Sequence, residues 1–307
     1  MDQKITKRVA AIMVTYNAHP WIRRALDTLR QSDYPMTVWV MDNGSTDDTV
    51  QIIECDYPEV LLQVSPVNHG FGKANNIGMC WALDQGFDYV LLINQDAGLH
   101  PDALRYLVQA AAKQHDALLL SPVHRNGAED RLDFGFAHYV QSDGSLTDFS
   151  ACYGQQEVVT VPFINAALWL IPAAVLRQVG MFSPLFFHYG EDVNWCKRLH
   201  YHGYAIGVVP SSIGYHDRAS RVVSPEKKYF FRQLDWLNRL ADPNQRFAYS
   251  LVWVVLACVK ELLLNLVHLD GAGLKHHGQI ARALMRQLPQ IRRERKLFTH
   301  AGYHLLR

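Results

Sequence analysis

The stretch VAAIMVTYN, residues 9–17, followed by VWVMDNGSTD, residues 38–47, decides the fold of this chain. Each begins with an apolar run that is typical of a strand buried on both faces. Each run ends abruptly in small polar residues that favour a tight turn. The pattern therefore predicts two neighbouring parallel strands whose polar turns lie at the same edge of a sheet.

Similar apolar runs alternate with helical patterns further along the chain. The predicted strands are Val9–Thr15, Thr37–Met41, Val60–Val64, Tyr89–Ile93 and Ala117–Leu120. The predicted helices between them are Trp21–Leu29, Thr46–Glu54, Phe71–Leu83 and Asp102–Ala112. This alternation predicts an α/β fold with a Rossmann-like, mostly parallel sheet.

The second part of the chain has a less regular pattern. Residues 123–157 lack clear periodicity, so we expect an insertion of loops and edge strands over the crevice at the sheet edge. The later predicted elements are a strand at Val158–Ile164, helices at Pro172–Val179 and Glu191–His200, a strand at Tyr204–Val209 and a polar loop at Ser211–Ser220. From Glu226 onward the pattern is helical to the end of the chain.

Four polar blocks follow the predicted strands, and they should converge on one crevice beyond the carboxyl ends. The blocks are Val14–Asn17, Asp42–Asp47, Asn68–Asn76 and Asn94–Asp96, and Glu191–Asp192 follows later. Asp42 can accept hydrogen bonds from a nucleobase or ribose, and the turn amides after it can face phosphate. An Asx-turn with Ser45 as the helix N-cap accounts for the same residues without a ligand.

The other blocks also have two interpretations each. Gly70 and Gly72 let the backbone approach a ligand and Lys73 can neutralise phosphate, or they form an ordinary strand–helix turn. Asp96 can bind Mg²⁺ or Mn²⁺, or it can simply form a turn. Either Glu191 or Asp192 can act as a general base in an apolar wall, or both acids can complement a helix dipole.

Composition excludes several classes of protein. The chain has 307 residues, is 49% hydrophobic and carries a formal net charge of +1, so it is globular and has no global field that selects nucleic acid. Its five scattered cysteines include no Cys-x-x-Cys pair, which indicates free thiols rather than disulfides or a zinc site. The apolar run Val9–Val14 is too short for a signal peptide, and we expect a cytoplasmic protein.

With these residues in hand, the chain resembles the inverting family 2 glycosyltransferases of the GT-A fold, and within them the rhamnosyltransferase-like branch. The resemblance runs from about residue 9 to residue 220 and rests on the order of the blocks, from Val-Thr-Tyr-Asn to Phe-Phe-x-Tyr-x-Glu-Asp-Val. It implies that Asp192 is the catalytic base, that Asp96 binds the metal, and that His216 completes the metal or diphosphate site. It also implies a donor-nucleotide site formed by Thr15, Tyr16, Asn17, Asp42, Asn43, Gly72, Lys73, Asn76 and Gln95, and an acceptor side formed by Asn165, Trp169, Tyr189 and Glu191.

The resemblance further implies a division of the chain and a reaction. Residues 1–122 would be the nucleotide-sugar-binding half, residues 123–224 the acceptor-binding and catalytic half of the same GT-A domain, and residues 225–307 a C-terminal helical extension. The expected donor is a dTDP- or UDP-linked sugar, rhamnose or another hexose, with Mg²⁺ or Mn²⁺ as cofactor. The expected acceptor is a saccharide or lipid-linked saccharide in O-antigen or other surface polysaccharide synthesis.

Two departures from the family pattern keep an alternative open. The usual Asp-x-Asp motif reads Asn94-Gln95-Asp96, so only its last carboxylate remains. The acceptor-side strand predicted at Phe163–Trp169 lacks the glycine-rich start that relatives often have. The alternative is a catalytically degenerate nucleotide- or glycan-binding scaffold, whereas a dehydrogenase lacks its glycine fingerprint.

The C-terminal region has a composition of its own. Phe247–Val259 is almost continuously apolar, is interrupted by Lys260-Glu261, and resumes at Leu262–Leu269. The uninterrupted run is too short to span a bilayer, so we expect it to dock on the anionic inner surface of the cell membrane as a peripheral helix. A basic cluster that suits lipid headgroups follows, at Lys275, Arg282, Arg286, Arg292, Arg293, Arg295 and Lys296. The equally supported alternative is that this helix packs on the catalytic domain or forms a homo-oligomer contact.

Overall fold

The computed structural model describes residues 7–114, 118–218 and 225–302. Its strands are β1 Val9–Thr15, β2 Thr37–Asp42, β3 Leu61–Val64, β4 Tyr89–Asn94, β5 Ala97–Leu99, β6 Leu118–Asn126, β7 Val159–Val161, β8 Leu168–Pro172 and β9 Ala205–His216. The first eight helices are α1 Ile22–Arg30, α2 Thr49–Asp56, α3 Phe71–Asp84, α4 Ala103–Lys113, α5 Phe134–Tyr139, α6 Leu146–Tyr153, α7 Ala173–Val179 and α8 Glu191–Tyr201. Three longer helices follow, α9 Pro225–Ala241, α10 Phe247–Val267 and α11 Gly271–Phe298.

The described strands form a single mixed sheet in the order β3-β2-β1-β4-β8-β6-β9-β5, and β7 also pairs with β9. Strands β3, β2, β1 and β4 are parallel, and β8 runs antiparallel between β4 and β6. Strand β9 is parallel to β6, while β5 and β7 are antiparallel to β9. The predicted α/β fold with a mostly parallel sheet and a C-terminal helical extension is confirmed.

Register within the parallel part places the polar blocks together. Thr15 pairs with Asp42 across β1 and β2, and Val14 pairs with Asn94 across β1 and β4. The first, second and fourth blocks therefore begin at the same level of the sheet. Residues of β1 alternate between two hydrophobic clusters, with Ile12 in one and Met13 in the other. Helices thus cover both faces of β1, as its apolar run predicts.

Several elements differ from the sequence-based predictions. Helix α2 begins at Thr49 rather than Thr46, because the Ser45 hydroxyl donates to the Asp42 side chain and does not cap the helix. The insertion contains α5 and α6 instead of only loops and edge strands. The predicted polar loop Ser211–Ser220 is the second half of β9 as far as His216, since it pairs with β5 and β6. Ala219 and Ser220 lie outside the described residues, as do Ala117 at the start of the fifth predicted strand and residues 303–307 of the predicted helical end.

The C-terminal helices build a core of their own. Trp236 of α9, Val254 of α10 and Ile280 of α11 belong to one buried cluster that also contains Leu185 and Phe186. The segment just before α8 therefore joins the C-terminal helices to the part of the chain that forms the sheet. The proposed boundaries at 122/123 and 224/225 stay predictions.

Helix α10 continues through Lys260 and Glu261, so these charges do not end it, and Glu261 pairs with Arg232 of α9 at 3.3 Å. Within the described residues, α10 alone has the length and composition of a membrane span, with 21 residues and a mean hydropathy of 2.0. Only 11% of its most apolar window is buried inside the protein. The outward face includes Tyr249, Leu256 and Val267, each at least 60% exposed.

Candidate active site

The Asp42 carboxylate forms the centre of the turn after β2. Its Oδ1 accepts from the amides of Gly44 and Ser45 at 3.1 and 2.9 Å, and its Oδ2 accepts from the hydroxyls of Thr15 and Ser45 at 3.0 and 2.5 Å. A carboxylate has about four acceptor positions, so these bonds occupy all of them. Asp42 is also fully buried. The Asx-turn interpretation therefore accounts for Asp42 and Thr15 completely, and a direct contact of either side chain with a nucleobase stays a prediction.

Asn17, Tyr16 and Gln95 join the turns of three strands. Asn17 adopts a left-handed backbone with φ of 50° and accepts from the Thr46 amide at 2.8 Å. Gln95 accepts from the Tyr16 amide at 2.8 Å and donates to the Tyr16 carbonyl at 3.3 Å. The Tyr16 ring stays 47% exposed at the mouth of the crevice. An exposed aromatic ring above a rigid turn is a suitable stacking surface for a base.

The glycine-rich loop is fixed from both sides. Asn43 donates to the Gly70 carbonyl and accepts from the His69 amide, each at 3.1 Å. Gly70 has a φ of +77°, and a Cβ at this position would lie 2.2 Å from the Phe187 carbonyl oxygen. Gly70 is therefore required for the close approach of the loop to the segment before α8.

Three predicted donor residues follow on α3. Gly72 packs on Phe182, since a Cβ there would meet the Phe182 Cβ at 3.2 Å. The Asn76 side chain exchanges two 2.9 Å hydrogen bonds with the backbone of Phe182. Both contacts fix Phe182, in the segment before α8, against α3. Lys73, which lies between Gly72 and Asn76, is exposed to solvent. Of the three, Lys73 has the side chain that is free to reach a phosphate.

Asp96 and His216 lie together at the crevice. The His216 Nε2 is 3.4 Å from the Asp96 Oδ1, and the Asp217 amide donates to the Asp96 carbonyl at 2.8 Å. A carboxylate and an imidazole at this separation fit two ligands of a hard divalent cation whose other ligands are phosphate oxygens and water. No group of three or more potential metal-ligating side chains occurs among the described residues.

Arg218 is a site residue that the sequence-based prediction missed. Its Nε donates to the His216 Nδ1 at 3.1 Å, and its Nη2 donates to the Asp133 Oδ1 at 3.0 Å. Tyr139 stands beside it, because a Cβ on Gly135 would lie 2.8 Å from the Arg218 Nη2 and 3.3 Å from the Tyr139 hydroxyl. The insertion therefore contributes Asp133 and Tyr139 to the site. The Gly-Tyr-His-Asp-Arg run was a signal for Arg218, whereas no local signal marked the other two.

Glu191 and Asp192 begin α8, but their environments differ. Desolvation by burial, followed by the charge of Asp192, raises the pKa of Glu191 to about 8. Glu191 is 4% exposed, and its Oε2 has no hydrogen-bond partner. Desolvation by burial also raises the pKa of Asp192, but the amides of Val193 and Ala166 and the charge of Arg218 oppose that shift. At neutral pH Glu191 is therefore protonated, and Asp192 is the better candidate for the ionised member of the pair.

The acceptor-side residues separate into two groups. Trp169 is fully buried between Phe182 and Trp195, so it belongs to the core rather than to the predicted acceptor surface. Asn165 precedes the Ala166 amide that faces Asp192, and its buried Oδ1 has no partner. Tyr189 is 39% exposed, and its ring contacts Phe231 of α9 at 5.6 Å. Asn165 and Tyr189 therefore lie close in the fold to Asp192 and Glu191, and their acceptor-side roles stay predictions.

The sequence of this chain is similar to those of known glycosyltransferases. The family model described as Glycosyl transferase family 2 matches residues 10–152. An N-acetylglucosaminyl-diphospho-decaprenol L-rhamnosyltransferase of Mycobacterium tuberculosis is 28% identical over 240 residues, which is 70% of this chain and 78% of that protein. Rhamnosyltransferase WbbL of Escherichia coli is 23% identical, with 68% of this chain and 83% of that protein covered. The dTDP-rhamnosyl transferase RfbF of Shigella flexneri is 24% identical, with 67% of this chain and 68% of that protein covered.

Solved structures share the fold. TarS 1–349 of Staphylococcus aureus in complex with UDP superposes with a TM-score of 0.54 at 21% identity, over 79% of this chain and 68% of that one. Mannosyltransferase PcManGT of Pyrobaculum calidifontis, in complex with GDP-Man and Mn²⁺, gives 0.57 at 18% identity, over 93% of this chain and 77% of that one. At these identities the likeness concerns the fold alone.

Proposed function

We propose a donor, an acceptor and a catalytic base for this chain, which is a family 2 glycosyltransferase of the rhamnosyltransferase-like type. The reaction is inverting transfer of rhamnose or another hexose from a nucleotide diphosphate. The acceptor is a saccharide or a lipid-linked saccharide in surface polysaccharide synthesis, O-antigen included. The observation that carries the proposal is the Glu191–Asp192 pair beside the Asp96–His216 pair, with Arg218 between them.

Asp192 is proposed as the general base. An acceptor hydroxyl attacks the anomeric carbon from the face opposite the diphosphate, and Asp192 takes the hydroxyl proton as the new bond forms. Burial raises the basicity of Asp192, while the neutral Glu191 beside it cannot accept a proton in the same pH range. The attack inverts the configuration at the anomeric carbon, and the diphosphate leaves.

The donor is proposed to lie across the polar blocks. Tyr16 stacks on the base, the exposed Lys73 faces phosphate, and Asp96 and His216 hold Mg²⁺ or Mn²⁺ with the diphosphate. Such a cation neutralises charge on the leaving diphosphate. A thymidine diphosphate sugar is favoured by the name of the RfbF relative, and a uridine diphosphate hexose is the second choice because TarS binds UDP.

The acceptor is proposed to be lipid-linked, and the protein to bind the cytoplasmic surface of the membrane. The name of the mycobacterial relative specifies a diphospho-decaprenol acceptor. Exposed aromatic rings at Phe187, Phe230 and Phe231 continue from Tyr189 beside the base. Helix α10 also has an exposed apolar face, and apolar faces with nearby basic side chains suit anionic lipid interfaces.

A transfer assay tests the proposal. Purified full-length protein is incubated with Mn²⁺, a panel of dTDP- and UDP-linked sugars, and N-acetylglucosamine linked through diphosphate to a short isoprenoid. We expect transfer from one donor, with inversion at the anomeric carbon in the product. The same panel with Asp192→Asn is the control for background hydrolysis. A protein that binds donor but transfers no sugar to any acceptor would instead support the degenerate scaffold.

A further inference from the structure

Arg218 joins the Asp96–His216 pair to the insertion. One side of its guanidinium contacts His216 and the other contacts Asp133 at the N-terminus of α5. The Arg218 side chain is 38% exposed, whereas the Asp133 side chain is 5% exposed. A buried carboxylate therefore holds the arginine at the surface of the crevice, and part of the guanidinium group is exposed to solvent.

The Asn94-Gln95-Asp96 motif contains one carboxylate. Asn94 and Gln95 occupy the other two positions of the motif and are neutral, so Asp96 is its only acid. A cation bound through one carboxylate leaves more of the diphosphate charge to be neutralised by the protein. Arg218 donates directly to His216, the neighbour of Asp96, and a planar guanidinium matches phosphate oxygens in a bidentate geometry.

We propose that Arg218 binds the diphosphate of the donor and that Asp133 holds it in position until the donor arrives. This inference rests on the proposed function, because it takes a nucleotide diphosphate as the ligand. Arg218 thereby supplies positive charge that the shortened Asn-Gln-Asp motif cannot recruit through a tightly held cation. Its contribution is a direct contact with the leaving group, and it is separate from proton transfer at Asp192.

The contacts of His216 place Arg218 next to the proposed diphosphate site. The Arg218 Nε donates to the His216 Nδ1 at 3.1 Å, and the His216 Nε2 on the other side of the ring lies 3.4 Å from the Asp96 Oδ1. A diphosphate that binds at Asp96 and His216 therefore arrives beside the Arg218 guanidinium.

Asp133 can release Arg218 without loss of its local fold. Its Oδ1 also accepts from the Phe136 amide at 2.9 Å, which is the N-cap bond of α5. This bond stays when the guanidinium leaves. Asp133→Asn keeps a good N-cap and removes the charge that holds Arg218. The two roles of Asp133 can therefore be separated by mutation.

Calorimetry in EDTA tests the proposal without relying on turnover. The probes are dTDP and UDP against dTMP and UMP, titrated into the full-length protein. For wild type we expect tighter binding of the diphosphate than of the monophosphate. Arg218→Gln should weaken diphosphate binding about 10-fold or more and leave the monophosphate unchanged, since only the second phosphate loses its charged partner. Arg218→Lys should retain part of the preference for the diphosphate over the monophosphate. Asp133→Asn should increase that preference.

Arg105→Gln is the matched control. Arg105 of α4 is 36% exposed and pairs at 2.8 Å with Asp33 in the loop before β2, and its loss should change neither affinity. A diphosphate preference that survives Arg218→Gln in a folded protein, checked by thermal melting, overturns the proposal. An unchanged preference in Asp133→Asn overturns the holding role of Asp133. If wild type binds no nucleotide, the proposed donor class fails and this inference falls with it.

Discussion

The Nε2 of His216 lies 3.4 Å from the Oδ1 of Asp96, at a place where two distant parts of the chain meet. Strand β9 carries His216 to the sheet edge, where it pairs with Ala97 of β5 directly after Asp96. The β-ladder therefore fixes the distance between the two backbones. A cation that binds both side chains would find them already in place.

Replacement of Asp96 tests the role of the cation. We expect Asp96→Ala to lower Mn²⁺-dependent affinity for a nucleotide diphosphate about 10-fold or more, or ~1.4 kcal/mol, because a carboxylate that bridges to phosphate through the metal is lost. Calorimetry with Mn²⁺ and with EDTA measures the difference. Asp102→Ala, on an exposed residue that precedes α4, is the control. Wild-type binding that ignores EDTA would show that Asp96 has another role.

Replacement of Asp192 tests the base. We expect Asp192→Asn to reduce kcat by roughly 10² or more and to leave the Kd of the nucleotide unchanged, because an amide cannot accept the acceptor proton. Steady-state kinetics and nucleotide binding are measured on the same preparation. Glu191→Gln is the comparison, since this residue is already protonated at neutral pH and should lose less activity. The reverse order of the two effects would transfer the role to Glu191.

Glu191 should also make stability depend on pH. Its pKa rises from 4.5 in the unfolded chain to about 8 in the fold, so the folded protein holds one more proton between these values. Stability therefore falls as pH rises through this window, by up to ~1.4 kcal/mol per pH unit, and levels off above it.

We expect Glu191→Gln to flatten this slope in chemical denaturation from pH 5 to pH 9, with the solvent-exposed Glu157→Gln as control. Part of the slope should remain, since the pKa of Asp192 is raised as well. Parallel curves for wild type and Glu191→Gln would contradict the burial of a protonated carboxyl group.

Liposome flotation tests the C-terminal surface. We expect binding to anionic vesicles that weakens with salt, and that loses about 1 kcal/mol for each of Arg292, Arg293 and Lys296 changed to Gln. These three side chains are exposed on α11. Neutralising Lys113 and Arg131, which lie in the catalytic part of the chain, should have no effect. A protein that ignores vesicles at low salt but sediments as an oligomer would favour the protein contact.

Arg295 should be left out of that experiment. Its guanidinium donates to the carbonyls of Leu240 and Asp242, and burial lowers its pKa. It therefore links α11 to the end of α9, and its replacement would destabilise the helices instead of reporting on lipid. Sequence alone placed Arg295 with the surface cluster, because a charged residue gives no local sign that its partners are distant carbonyl groups.

The parallel half of the sheet was predictable because its strands are apolar on both faces. Strand β1 has the predicted bounds, and β2 and β4 differ by one residue at their ends. The predicted acceptor-side strand Phe163–Trp169 overlaps β8, Leu168–Pro172, at two residues only, because antiparallel insertion between two strands has no signature of its own. The second half of β9 was mistaken for a loop, since Ser211, Ser212 and Gly214 are typical of turns. Pairing with β5 and β6 overrides that preference.

Three residues of the candidate site were predicted from their motifs, namely Asp96, Asp192 and His216. The structure brings Asp96 and His216 together and links them to Asp192 through Arg218, while the three roles stay predictions. Asp133 and Tyr139 were not predictable, because the insertion that carries them has no periodicity and reaches the site only through the fold. Asp133 and Arg218 are 85 residues apart in sequence, so their contact depends on tertiary packing rather than on local spacing.

The filled acceptor positions of Asp42 have a consequence for inhibitor design. A competitive inhibitor that aims an amide donor at Asp42 gains no bond, because four donors of the protein already occupy the carboxylate. The buried Oδ1 of Asn165 has no such partner. A donor group that reaches this oxygen satisfies a polar atom that is otherwise unpaired, and such a bond contributes more than one that replaces an existing contact. A compound built for the proposed donor site should therefore seek its added hydrogen bond at Asn165 rather than at Asp42.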